Sequence, residues 1–443
     1  MTNTTTIPRL SALMLVLLLL PGLARAQQLD KVYVLNQGAF LQGNASVTSW
    51  NPATGQVQQN VFQQVNGRPL GDIAIHSALI NELLYVLVSN SDTIEIVNPQ
   101  TFASVKRIFV DDFGGSSPQW IEQVSETKAY VSNLTGTTVS VLDLTTNEIT
   151  GSIEVGPNPE GIAVSGGKAF VALTDFGNGQ QLAVIDIATD TRTALIDVHD
   201  NPRFLHTASD GRVWLMSTGS FGFGLPESDG KISIIDPADN TVVSVIDVAG
   251  KPQRIQLNEA QNLVYVLNNG IQLLDMETLE FLEEDFSSTA YFGMRLWTGD
   301  VPRVFATTAP DFSSAGNVSV LGLNGEVLTS FTAGIGPEFV QFVAGAPVST
   351  EGDERAAGFA LHQNYPNPFN PSTVISYELQ QPAQVRLEVY NLQGQRVAVA
   401  DAGFRTAGLH QVRFDAGALA SGIYLYRLQA GDLVATRRMT LIR

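Results

Sequence analysis

Residues 128–164 read KAYVSNLTGTTVSVLDLTTNEITGSIEVGPNPEGIAV. KAYVSN is a short run rich in β-branched and aromatic side chains. After the turn Leu134-Thr135-Gly136, TVSVLD alternates apolar and polar residues with the period of a half-buried strand. TGSIEV makes a third run, and Pro159 opens a fourth that ends in GIAV. Each run has the length of an ordinary strand, about five or six residues, and Asn, Asp or Gly separates it from the next. The stretch predicts one antiparallel four-stranded unit without a helix.

The unit recurs. Its aromatic strand returns as KVYVLN, LLYVLV, KAFVAL, RVWLMS, LVYVLN and RVFATT, with aromatics at Tyr33, Tyr85, Tyr130, Phe170, Trp214, Tyr265 and Phe305. Their spacings are 52, 45, 40, 44, 51 and 40 residues. The fourth run starts near Pro69, Pro118, Pro159, Pro202, Pro252 and Pro337, and AYFGMRLW fills the same place without a proline. Four-stranded units at a period of roughly 40–50 residues indicate a β-propeller, in which stacking covers both faces of each sheet and leaves only short edges. The region starts with the aromatic strand and ends with the proline-led GPEFVQFVA, so one unit can be completed from both ends. That gives an all-β chain with a seven-bladed β-propeller over residues 27–348. Asn51, Asn98, Asp143, Asp186, Asp236 and Asp275 each close an alternating strand and are read as turn caps. The repeated aromatics are read as core.

The flanks differ from the ring. Residues 1–26 carry Arg9, the apolar run Leu10–Leu20 and Ala24-Arg25-Ala26, a secretory signal too short to span a bilayer. Residues 27–358 have a net charge of −23 and residues 359–443 of +3. The acidic segment 349–360 reads as the linker to a second domain, 361–443, whose short alternating strands indicate a small Ig-like β-sandwich. With no cysteine in the chain, disulfide scaffolds, thiolate metal sites, cysteine nucleophiles and a lipoprotein anchor are excluded. A net charge of −18 argues against nucleic acid as a partner.

Two resemblances sit on these motifs. KVYVLN, KAYVSN and LVYVLN, each followed by a VxVxD-like strand and an NPxG- or KPxx-like turn, resemble the YVTN/YncE-like seven-bladed propellers, and the segment from Gln37 to Ala74 is similar to their secreted Bacteroidota branch. The tail carries NYPNPFNPST, the sorting motif Tyr365, Pro366, Asn367, Pro368, Phe369, Asn370 and Pro371, and then VYNLQGQRV and ASGIYLYRL. These resemble the type A sorting domain of the type IX secretion system. That resemblance implies export by the type IX machinery to the outer surface or the medium, with the tail removed near the linker. The propeller family implies a surface binding protein, with a corrinoid as one specific ligand. More distant relatives imply a lactonase-type hydrolase, and a structural or adhesive scaffold is the third reading.

Propellers bind at the mouth of the channel, so the residues just after the prolines are the candidate ligand contacts: Asp72, Gln119, Trp120, Glu160, Arg203, Phe204, Gln253, Arg254, Phe292 and Glu338. Leu70 and Tyr291 lie beside them. This mixture of arginines, carboxylates and aromatics suits a polar ligand with an apolar face. No cofactor is expected for a binding protein. A hydrolase would need a divalent metal, for which Asp72, Glu122, Glu160, His206 and Glu338 are the candidate ligands. His76 and His206 fall in inner strands and are read first as core. No HExxH or GxSxG motif is present, and no catalytic residue is assigned.

Overall fold

The computed structural model describes residues 28–111, 114–282, 285–345, 359–361, 364, 369–379, 381–391, 396–417, 419–420, 422–430 and 433–441. The signal segment, most of the linker and Tyr365–Pro368 of the sorting motif lie outside the described residues. The chain divides into two compact units, Met1–Ala344 and Gly345–Arg443.

Among the described residues, the first unit consists of seven antiparallel sheets. Their innermost strands are β1 (Ala74–Ile80), β2 (Pro118–Ser125), β3 (Pro159–Ser165), β4 (Pro202–Thr207), β5 (Arg254–Asn258), β6 (Gly293–Trp297) and β7 (Pro337–Ala344). Each lies beside the next, and β7 lies beside β1, so the sheets form a closed β-propeller around a channel. Closure comes from both ends of the unit. The strand Leu29–Asn36 pairs with β7 on one side and with Ser46–Trp50 on the other, with Tyr33 opposite Gln341 and Val34 opposite Val340. Proline is the first residue of β2, β3, β4 and β7, a position where its missing N–H costs no ladder bond.

The seven repeated aromatics are all buried, at 4% exposure or less. Tyr33 Oη donates to Pro99 O (2.8 Å) and Tyr85 Oη to Asn147 Oδ1 (2.5 Å), so the rings fill the space between sheets while their hydroxyls tie distant turns. The turn caps form as expected. Asn98 Oδ1 accepts from the N–H groups of Gln100 (2.9 Å) and Thr101 (3.0 Å), and Asp275 Oδ1 accepts from those of Glu277 and Thr278, both at 2.8 Å. These backbone donors hold the Asp143, Asp186 and Asp275 carboxyls below their usual range.

Two sheets depart from the repeat. In the one built on β7 the outer strand shrinks to Val57–Gln58, and a six-residue helix, Val61–Asn66, follows. That helix buries Phe62 edge-on against Phe102, at 6.3 Å between ring centres. It is too short to show a helical period in the sequence. Among the described residues, the sheet built on β5 has three strands, and the isolated bridges Leu274–Phe281 and Ile271–Ser287 stand where a fourth strand would run. There Phe286 packs on Tyr265, 5.1 Å between ring centres, in place of an alternating strand.

Among the described residues, the second unit is a sandwich of a three-stranded and a four-stranded sheet. Ile375 and Tyr377 from one sheet and Val385, Leu387, Tyr426 and Leu428 from the other share a single core. Phe369 of the sorting motif is 2% exposed within that core and bridges to Leu441, while Asn370 and Pro371 are exposed at its edge.

Candidate functional site

Alternation along the inner strands builds the channel wall. Ile121, Ile162, Leu205, Ile255, Met294 and Val340 are buried between sheets, each contributing about 1.5–3 kcal/mol. Their neighbours in sequence must then face the axis. The inner-strand residues paired with the repeated aromatics are Ala78, Glu122, Ala163, His206, Gln256, Arg295 and Gln341. All seven line one chamber of about 730 Å³, which reaches the C-terminal ends of the inner strands at Thr207, Thr298 and Ala344.

Two residues earlier on each strand lies a second tier. His76 stacks on Trp120 (3.9 Å between ring centres) and meets Phe339 edge-on (4.5 Å). Trp120 meets Phe204 at 6.1 Å, and the Arg254 guanidinium lies over both Phe204 (4.8 Å) and Phe339 (5.6 Å). These five side chains contact one another in a closed circuit and form the floor of the chamber. At the other two places the tier has Gly161 and Gly293. A Cβ there would collide with the carbonyl oxygens of Arg203 and Glu338 respectively, so glycine lets consecutive inner strands approach closely.

At the strand starts, beyond the floor, charges are paired. Arg203 grips Glu160 through Nε (3.0 Å to each oxygen) and Nη2 (2.6 Å). Arg254 Nη2 donates to Glu338 Oε1 (2.9 Å), whose Oε2 accepts from Gln37 Nε2 (3.2 Å). The Arg254–Glu338 pair is the deeper one, with side chains 8% and 14% exposed. Burial pushes the Glu338 carboxyl up against the pull of Arg254, and Glu160 raises Arg203.

Within the chamber the groups are less fully matched. Trp120 Nε1 donates to Glu122 Oε2 (3.2 Å), yet burial dominates and raises the Glu122 carboxyl to about 7. Burial also lowers His206 and, with help from Arg295 and Arg254, His76, so both imidazoles are neutral at neutral pH. Arg295 Nη1 donates to Val340 O (2.8 Å) and Gln341 Oε1 (3.2 Å), and its guanidinium lies over Phe339 (4.5 Å) and Phe342 (5.5 Å). Burial brings its pKa down to about 10, still well above neutrality.

The ten expected contacts therefore separate. Trp120, Phe204 and Arg254 line the chamber, whereas Glu160, Arg203 and Glu338 form the ion-paired belt beyond its floor. Asp72 lies elsewhere and anchors a loop, its Oδ2 accepting from Leu41 N (2.9 Å) and Asn90 Nδ2 (2.6 Å). Gln119 is half-buried and Gln253 exposed, neither against the chamber, and Phe292 packs on Phe312 in a separate surface groove. The proposed metal set is not assembled: Glu160 and Glu338 hold arginines and Asp72 holds a loop. Among the described residues no group of three or more His, Asp or Glu is arranged for a metal ion. Gln256, Arg295, Phe339, Gln341 and Phe342 were not singled out from the sequence. Registering each inner strand against its aromatic partner would have found the polar three.

Fold and tail together define a β-propeller carried by a secretion signal of its own. Residues 30–248 match the family described as a domain of unknown function, DUF5074, and residues 363–442 match the secretion system C-terminal sorting domain. The chain is thus directed through type IX secretion to the cell surface or beyond it, and no helix among the described residues is long and apolar enough to cross a membrane. No curated protein matches the chain. Among solved structures, hydrazine synthase of Kuenenia stuttgartiensis is 19% identical over 56% of this chain and 66% of its own, with a TM-score of 0.40. The computationally designed Ika8 protein is 13% identical over 72% of this chain and 99% of its own, TM-score 0.47. Apo AztD from Citrobacter koseri is 10% identical over 72% and 98%, TM-score 0.48.

Proposed function

We propose that the propeller is a surface or secreted binding protein that captures a small ligand in its central chamber, and that it is a relative of the YncE-like seven-bladed binders. One observation carries this reading: a chamber of about 730 Å³, within the range of small-molecule sites, is walled by aromatic rings and a few convergent polar groups. Binding there needs no cofactor and no catalytic residue. The resemblance adds a corrinoid as one specific nutrient ligand, a larger one that would lie across the channel mouth. The test is a thermal-shift screen of the exported protein against nutrients that include corrinoids, sugars and organic acids, followed by calorimetry. A hit that raises the melting temperature and is lost in Gln256→Ala or Trp120→Ala supports binding in the chamber. An inert response across the panel leaves the scaffold reading in its place.

A further inference from the structure

Among the described residues the channel contains three arginines, and they differ in what neutralises them. Arg203 has Glu160 and Arg254 has Glu338. Arg295 has no carboxylate within ion-pair distance among the described residues, and only its Nη1 bonds to protein, through a backbone carbonyl and an amide. Its Nε and Nη2 edge is left over. That is the edge with which Arg203 holds Glu160, and its two parallel donors match a carboxylate fork. Contact with the Phe339 and Phe342 rings holds the Arg295 guanidinium in place before any ligand arrives.

Resting on the binding reading above, we infer that the ligand is a small organic anion, its acidic head clasped by Arg295 and its apolar body lying against the aromatic floor and wall. A cation in a partly desolvated chamber, with its fixed counter-charges committed elsewhere, favours an anion over a neutral isostere. The remaining chamber groups agree. His76 and His206 are neutral and bring no competing charge, and Gln256 and Gln341 supply amide contacts. Glu122 is the acidic group of the same tier. Sharing the chamber with it are His76 on β1, His206 on β4, Arg254 on β5 and Arg295 on β6, while β3 presents Ala163 and β7 presents Gln341; Glu338 on β7 is held by Arg254 beyond the floor. Of these, Glu122 is the carboxyl raised into the neutral range, and burial holds His206 below its ordinary value, on the acid side of Glu122. Protonated, it leaves Arg295 uncompensated and offers an O–H; ionised, it repels the ligand. Anion affinity therefore falls as pH rises through about 7.

The experiment is calorimetric titration of the exported protein with 3-phenylpropanoate, benzoate and 3-indolylacetate, each beside its neutral amide, at pH 6 and pH 8. We expect an acid to bind at least about tenfold more tightly than its amide, the scale of one charge-assisted hydrogen-bond pair. Arg295→Gln should abolish that preference, and Arg295→Lys, which keeps the charge and loses the fork, should retain part of it. Glu122→Gln should bind at pH 8 as the wild type does at pH 6. Equal binding of acid and amide, or an Arg295→Gln protein that still prefers the acid, overturns the inference. If only neutral members of the nutrient panel bind, and Trp120→Ala removes that binding, the anion inference fails while the binding reading stands. If nothing in either panel binds, both fall.

Discussion

The two halves of the channel use the same residue types to opposite ends. Where the inner strands start, arginine meets glutamate, each charge is answered by protein, and the wall closes on itself. Where they finish, an arginine meets an amide and a carbonyl, burial raises the nearby carboxyl to about 7, and a chamber stays open. The difference teaches that charge in a cleft points to a ligand only after the protein's own pairings have been subtracted. Had the arginines been counted without their partners, the strand starts would have ranked first.

That contrast can be broken by substitution. Glu338→Ala leaves Arg254 buried without its partner, so stability to urea should fall by about 3–5 kcal/mol; Arg295→Gln leaves no unpaired charge behind and should cost less, about 1–2 kcal/mol. Similar losses in the two variants would erase the distinction between the halves. Gly161→Ala tests the geometry that places both halves on one axis. Its new methyl meets the Arg203 carbonyl, and overpacking of this kind should cost about 1–3 kcal/mol in the same denaturation assay; an unchanged midpoint would mean the strands can move apart.

Glu122 sharpens the comparison through pH. Its folded pKa, about 7, stands above its unfolded value, so the folded state binds the proton more readily. The stability linked to that proton is complete below the usual carboxylate range and is lost as pH rises through about 7. Between pH 5 and pH 8 the loss should be about 2.5 kcal/mol, absent from Glu122→Gln, as read from melting curves over that range. A wild type and variant with parallel pH profiles would contradict a raised Glu122. The smallest effect is the control outside the channel: Asn98→Ala removes one turn cap and should cost about 1 kcal/mol with no effect on either half.

The architecture was legible because its signals are local. Period-two alternation, an aromatic in each second strand, asparagine or aspartate at the turns and proline at the inner-strand starts are all visible within forty residues of one another. The phase of the first and last strands even foretold the closure of β7 on Leu29–Asn36. Local regularity also hid the exceptions, since Val61–Asn66 is too short to show a helical period and the sheet on β5 replaces a strand with isolated bridges. The candidate site was half legible. Position after proline selected Trp120, Phe204 and Arg254, which line the chamber, yet the same rule selected Gln253, which is exposed, and Phe292, which faces another groove. Gln256, Arg295 and Gln341 were passed over because a polar residue in a strand looks alike whether it faces water, a neighbouring sheet or a channel.

By itself, then, the sequence determined the repeat, the turns, the sheet-forming segments and the export tail, because each is specified by neighbours a few residues apart. Only the tertiary structure decided which arginine is left without a carboxylate. Glu160 lies 43 residues from Arg203 and Glu338 lies 84 from Arg254, so closing the ring is what sets the distances on which pairing, burial and the raised Glu122 carboxyl depend.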